Sequence, residues 1–373
     1  MESDCANIYR RKITKKRKVQ NMDDYRTVSI DELEEGMVLA KSIYVKGVVL
    51  LQKGIELNEK LIKSIKNILM IGDVDIYLEE SQYVDETNPI IMKKFYKYIE
   101  IDKLLDEMAK HLKSILNKNN FGINQLKNKI NEMLENSTSP LRNIIIRGSE
   151  KDSIYRHSIN VAVLGGILGK WIGFDKKDID NIICDGILCN IGKTTIDKRI
   201  INKKGKLTQK EYGEIKNYPV RGYNILRYNT RLEKPILNAI LMHHEREDGS
   251  GYPLGIKGDL IDPIAKIIAI ADVFDAINSK RYYRKSKCPF EVLDIMKDEA
   301  NECRLDQEYC RVFIEHMSDY YLGEYVLLNN NKKCKIVQID KNSIDKPLVY
   351  IEDENDFVDL SKHSGLYVDK VTF

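Results

Sequence analysis

His243-His244-Glu245-Arg246-Glu247-Asp248-Gly249-Ser250-Gly251-Tyr252-Pro253 crowds two adjacent imidazoles, three carboxylates and a Gly/Pro turn into eleven residues. Imidazole and carboxylate are the side chains that hold borderline divalent cations, so this stretch reads as part of a metal-type site. It follows a short apolar run. Pro235 suits the first turn of a helix through Met242, which would deliver the histidines at a helix end. Working outward, the helical period continues on both sides. Tyr155 to Ile172 is strongly apolar, and Asp175 can cap a helix running to Asn190 with Ile179, Ile182, Ile183 and Ile187 inward. Thr208-Gln209-Lys210-Glu211 has the capping-box spacing. Pro263 opens a helix through Ile277, and Pro289 opens another. The pattern predicts an all-helical domain over residues 146–320.

The flanks read differently. Residues 1–22 include Arg10-Arg11-Lys12-Ile13-Thr14-Lys15-Lys16-Arg17-Lys18, with seven positive charges in nine residues. That composition predicts a solvated, disordered tail; attraction to anionic lipid or nucleic acid is the alternative. Residues 23–82 predict a small α/β module. Strand-like alternation starts at Tyr25-Arg26-Thr27-Val28-Ser29-Ile30, continues in Asp31 to Ala40 and Lys46 to Gly54, and gives way to an amphipathic helix over Asn58 to Met70. Residues 83–145 predict a helical linker or lid, with apolar positions at Leu104, Leu105, Met108, Leu112 and Ile115. From 321 to 373 alternation returns around an Asn329-Asn330-Asn331 turn, which predicts a β extension.

Composition narrows the class. The chain has 373 residues, 43% hydrophobic and 31% charged, with a net charge of +3, too small to imply that the whole chain binds nucleic acid. No apolar run approaches the roughly 18 residues that cross a bilayer, and Met1-Glu2-Ser3-Asp4-Cys5 lacks a secretory core, so a cytoplasmic location is expected. Seven cysteines without a CxxC pair read as reduced thiols.

Several blocks in order carry a family resemblance. The segment His243-His244-Glu245 through Asp248-Gly249-Ser250-Gly251-Tyr252-Pro253 resembles the signature of the HD-GYP subgroup of HD-superfamily phosphohydrolases, which hydrolyse cyclic di-GMP or related cyclic dinucleotides. The resemblance extends over His157-Ser158-Ile159-Asn160-Val161-Ala162, Ile191-Gly192-Lys193, Gly205-Lys206-Leu207-Thr208, Tyr218-Pro219-Val220-Arg221-Gly222, Ile270-Ala271-Asp272-Val273-Phe274-Asp275-Ala276 and Ser279-Lys280-Arg281-Tyr282-Tyr283-Arg284. It implies metal ligands at His157, at the pair 189/190, at 218, and at His243, His244 and Asp272. Four of these are retained. The family's His is Cys189, its bridging Asp is Asn190, and its His before Pro is Tyr218. A third-metal carboxylate seen in some members falls on Ser153.

Two divalent metals sharing a hydroxide supply both nucleophile and charge neutralisation for phosphodiester cleavage. A bridging carboxylate offsets their repulsion, and the neutral amide of Asn190 does not. Cys189 is read as a small hydrophobe, with thiolate ligation of zinc as the alternative. Tyr218 as phenolate is disfavoured by a reference pKa of about 10. On the substrate side the resemblance implies dinucleotide contacts from Lys193, Tyr252, Arg281 and Arg284, with Lys193 also the residue to carry any residual catalysis. Arg suits bidentate phosphate contacts, Lys a point charge, and Tyr a stacking face. The plainer readings are surface charges for Lys193 and Arg284, a structural turn for Tyr252-Pro253, and hydrogen-bonded helix-end roles for His243 and His244.

The expectation is therefore a mainly α protein: an all-helical HD-GYP core, a small N-terminal α/β module and a small C-terminal β extension. It would act as an inactive cyclic di-GMP receptor or scaffold, with no metal or a partial site. The alternatives are a metal-dependent phosphodiesterase holding Fe, Mn or Zn in an altered site, and a partner-binding protein with a vestigial pocket. A protein signalling partner and a homodimer are both compatible with the sequence.

Overall fold

The computed structural model describes residues 25–45, 48–51, 53, 55–69, 73–77, 89–117, 122–136, 144, 154–201, 203, 205–228, 232–279 and 288–372. The basic segment 10–18, Ser153, Arg281 and Arg284 lie outside the described residues. The chain divides into two compact units: residues 1–91 with 353–357, and residues 92–352 with 358–373. The fold is mainly α.

In the first unit, β1 (Tyr25–Ser29) is followed by β2 (Ile43–Val45), β3 (Val48–Leu51), helix α1 (Glu59–Leu69) and β4 (Asp73–Tyr77). β1 pairs antiparallel with β4, and β2 with β3. Helix α1 buries Leu61, Ile62 and Ile65, the stripe expected of an amphipathic helix. The strand-like reading of Asp31–Ala40 is corrected. Ser29 and Glu32 form a capping box that turns the chain into a 3-10 segment at Ile30–Glu32, and only isolated bridges at Val38 and Leu39 follow. A local capping option outcompeted pairing there.

Eleven further helices and a sheet are described beyond residue 88: α2 (Pro89–Asn117), α3 (Asn124–Asn136), α4 (Ile154–Ile172), α5 (Lys176–Leu188), α6 (Lys198–Ile201), α7 (Gln209–Lys216), α8 (Tyr218–Leu226), α9 (Lys234–Met242), α10 (Pro263–Asn278), α11 (Pro289–Asn301) and α12 (Gln307–Tyr321). The core lies where α4, α5 and α10 meet, with Ile159, Val163, Leu164, Ile182, Ile183, Ile267, Ile268 and Ala271 fully buried. Arg156 ties α2 to α4 through Asp102 (2.8 Å) and Asp106 (2.6 Å). Lys127 and Asn131 tie α3 to Asp180 on α5 at 2.9 and 2.7 Å.

Local signals account for most helix starts. Asp175 caps α5 by accepting from the Asp178 amide, and Thr208 and Glu211 complete a capping box on α7. Helix α5 ends two residues before the expected Asn190. Asn190 leaves the helical region at φ −93° and ψ 5°, and the chain tightens into a 3-10 turn at Ile191–Thr195. Gly192 sits where that turn touches α8, because a Cβ there would collide with the Tyr218 carbonyl. The close approach brings Lys193 to the ring of Tyr218.

The C-terminal sheet comprises β5 (Tyr325–Leu328), β6 (Lys333–Asp340), β7 (Ser343–Ile351), β8 (Asp356–Asp359) and β9 (Val368–Thr372), in the order β8-β7-β6-β5-β9. Val326, Leu328, Cys334, Ile336, Val349 and Ile351 supply its buried face. Among the described residues, no helix is long and apolar enough to cross a membrane.

Candidate functional site

One half of the site is where α4 crosses α10. His157 Nδ1 lies 2.6 Å from Asp275 Oδ2, and its Nε2 lies 2.9 Å from Asp272 Oδ1. Asn160, one turn along α4, donates to the other Asp275 oxygen at 2.8 Å and accepts from Arg156 Nε at 3.1 Å. Burial pushes the His157 pKa down, but hydrogen bonds to Asp272 and Asp275 outweigh it and leave the ring above its usual 6.5. The ionised Asp272 carboxylate only accepts, so His157 Nε2 donates to it. Asp272 is correspondingly held well below the carboxylate range: burial opposes this, and the His157 hydrogen bond and charge overcome it.

The second half joins α8 to the end of α9. The Tyr218 hydroxyl lies 2.7 Å from His243 Nε2 and 2.6 Å from His244 Nε2. His243 Nδ1 lies 2.9 Å from the Ile240 carbonyl, which can only accept. Nδ1 therefore carries the proton of the neutral ring, whose pKa burial lowers to about 4. His243 Nε2 then accepts the Tyr218 hydroxyl proton, and His244, whose pKa burial and the neighbouring His243 also lower, donates from Nε2 to the phenolic oxygen. One hydroxyl occupies both Nε2 atoms.

Tyr252 stacks on His244 with ring centroids 4.7 Å apart. The turn that carries it is held by Glu245, a buried carboxylate that accepts from the amides of Leu254 (2.6 Å), Gly255 (3.3 Å) and Ile256 (3.2 Å). Gly251 passes so close that a Cβ there would strike the Glu245 backbone.

Cys189 and Asn190, at the end of α5, are both buried. Cys189 Sγ donates to the Gly186 carbonyl at 3.3 Å and accepts from Asn190 Nδ2 at 3.2 Å. Burial, with the charges of Asp185 and Asp272, pushes this thiol well above its usual range, so it is not a thiolate at neutral pH. Asn190 Oδ1 and both carboxyl oxygens of Asp185 are buried with no partner among the described residues. Burial, with the charge of Asp262, pushes the Asp185 pKa well above the usual carboxylate range. Lys193 Nζ lies 4.6 Å from the Tyr218 ring centroid. Among the described residues, no group of three or more His, Cys, Asp or Glu side chains is arranged to hold a metal ion.

Residues 141–309 match a protein-family model described as HD domain. This stretch is similar to HD domains. Similar proteins include a cyclic di-GMP phosphodiesterase of Pseudomonas aeruginosa, 29% identical over 53% of this chain and 47% of that protein. The 3'3'-cGAMP-specific phosphodiesterase 1 of Vibrio cholerae is 35% identical over 45% of this chain and 38% of its own length. Cyclic di-GMP phosphodiesterase PdeB of Borreliella burgdorferi is 30% identical over 56% and 55%. The chain thus spans about half the length, or less, of the curated relatives it matches.

Within residues 141–309, the expected residues form two hydrogen-bonded groups, His157 with Asp272 and Tyr218 with His243 and His244. Cys189, Asn190, Lys193 and Tyr252 lie beside them. Sequence reasoning missed Asp275, Asn160, Glu245 and Asp185. Two of these carried a helical signal: Asp275 follows Asp272 by three residues and Asn160 follows His157 by three, which places each pair on one face. Glu245 stood inside the opening motif. Asp185, an acid among the apolar residues of α5, was the remaining anomaly.

Proposed function

We propose that this HD domain binds cyclic di-GMP without hydrolysing it, and that the chain is a cytoplasmic signalling receptor or scaffold of the HD-GYP type. The observation that carries this reading is the Tyr218 hydroxyl shared by His243 and His244. A pair of divalent cations does not fit the donor set present. Both His157 ring nitrogens are engaged by Asp275 and Asp272, the His243 Nε2 lone pair is taken by Tyr218, Cys189 is a thiol, and Asn190 brings no charge to a bridging position. The relatives supply the ligand class, and Lys193 and Tyr252 supply a positive charge and an aromatic ring at the same pocket.

A second reading has one observation in its favour. Among the described residues, the buried oxygens of Asp185 and Asn190 have no partner, so a cation held by an altered set, in a metal-dependent phosphodiesterase, is the alternative. Calorimetric titration of the full chain with cyclic di-GMP, alongside metal analysis and a hydrolysis assay with Mn²⁺ or Fe²⁺, separates the two. Binding heat without product is expected. Product, together with stoichiometric metal, establishes the enzyme instead. Neither heat nor product at tens of micromolar leaves a partner-binding protein with a vestigial pocket.

A further inference from the structure

Tyr212 and Lys216 lie one turn apart on α7, on one face of that helix. Lys216 Nζ is 5.0 Å from the Tyr212 ring centroid and 5.3 Å from that of Tyr252. The ammonium therefore bridges a ring of α7 and the ring that stacks on His244 in the pocket. Tyr252 is already stacked on His244, whereas Tyr212, which shares the Lys216 ammonium, is 50% exposed. The acids of α7 are committed elsewhere: Glu211 to Lys203 and the Thr208 amide, and Glu214 to Arg221. Among the described residues, no carboxylate lies within ion-pairing distance of Lys216. Aromatic faces attract a cation without cancelling its charge. An exposed ring next to an uncompensated ammonium matches a planar base joined to a phosphate.

We propose that Tyr212 and Lys216 form a nucleotide-binding wall of the pocket, where Tyr212 stacks a purine base and Lys216 pairs with the phosphate attached to it. This rests on the reading of the HD domain as a cyclic dinucleotide receptor and extends it to α7. It also moves base stacking from Tyr252, whose ring supports His244, to a residue outside the Gly-Tyr-Pro turn.

The test is calorimetric titration of the full chain with cyclic di-GMP and with 5'-GMP, comparing wild type with Tyr212→Ala, Tyr212→Phe, Lys216→Ala and Lys216→Gln, with circular dichroism as the fold control. Tyr212→Ala and Lys216→Ala are expected to weaken cyclic di-GMP about tenfold each, the loss of one stacked base or one phosphate contact. Tyr212→Phe keeps wild-type affinity, and both Lys216 variants bind with a shallower salt dependence than wild type. Should Tyr212→Ala fail to fold, Lys216→Gln decides by the same criteria. Wild-type binding with unchanged affinity in the alanine variants overturns the wall and leaves the receptor reading standing. No heat from wild type with either nucleotide overturns both.

Discussion

Tyr218 Oη stands 2.7 Å from His243 Nε2, and the Ile240 carbonyl on the far side of the ring fixes the direction of the proton between them. The tyrosine donates, and the imidazole nitrogen that would face a cation accepts. With His244 donating to the same oxygen, the group is closed upon itself. A hydroxyl and two neutral rings satisfy each other in a buried place where an unpaired polar atom is costly.

Tyr218→Phe removes the shared hydroxyl and leaves a buried histidine nitrogen without its donor. We expect a loss of about 1–3 kcal/mol in urea unfolding. Unchanged stability would show that the three rings do not depend on that oxygen.

The triple change Cys189→His, Asn190→Asp and Tyr218→His restores an anionic oxygen and two imidazoles at the positions where the resemblance implies ligands. Purified without chelator, this variant is expected to carry bound transition metal that the parent lacks, as read by elemental analysis. Equal metal content in the two proteins contradicts the account given for these three positions.

His157 titrates above its unfolded value of 6.5, so its contribution to stability is complete below pH 6.5 and is lost as pH rises through the folded value. Asp272 titrates below its unfolded value of 3.8, so its contribution is present above pH 3.8 and is lost as pH falls through the folded value. The ion pair is thus at full strength between those two values and declines on the alkaline side. Thermal unfolding of wild type should show that alkaline decline, and His157→Gln should flatten it. A parallel profile in the variant counts against the His157–Asp272 ion pair.

Asp185 is raised above its unfolded 3.8, so the native state holds a proton that the unfolded chain releases, and stability falls as pH climbs from 3.8 toward the folded value. Asp185→Asn keeps the shape and removes that ionisation. At neutral pH it is expected to be more stable than wild type, measured by denaturant unfolding. A destabilised Asn variant would instead mean that the carboxyl has a partner or ion it needs.

Helix starts were legible because each is set within one turn of chain. Asp175, Thr208 with Glu211, and the prolines at 235, 263 and 289 all sit at the observed starts. The expected strand over Asp31–Ala40 failed because alternation does not report a competing cap, and the Ser29–Glu32 box took the backbone first. The residue types at 189, 190 and 218, which differ from those the resemblance implies, were also visible in the sequence. What they do to the site was not, since periodicity carries no information on which atoms meet across 25 or 115 residues.

The order of residues alone therefore determined a mainly helical core, because caps and apolar periods act between near neighbours. Tertiary structure alone decided the protonation pattern. It set His157 between two carboxylates from α10 and put one tyrosine hydroxyl against two imidazoles, and a proton's position depends on the acceptor that packing places opposite it.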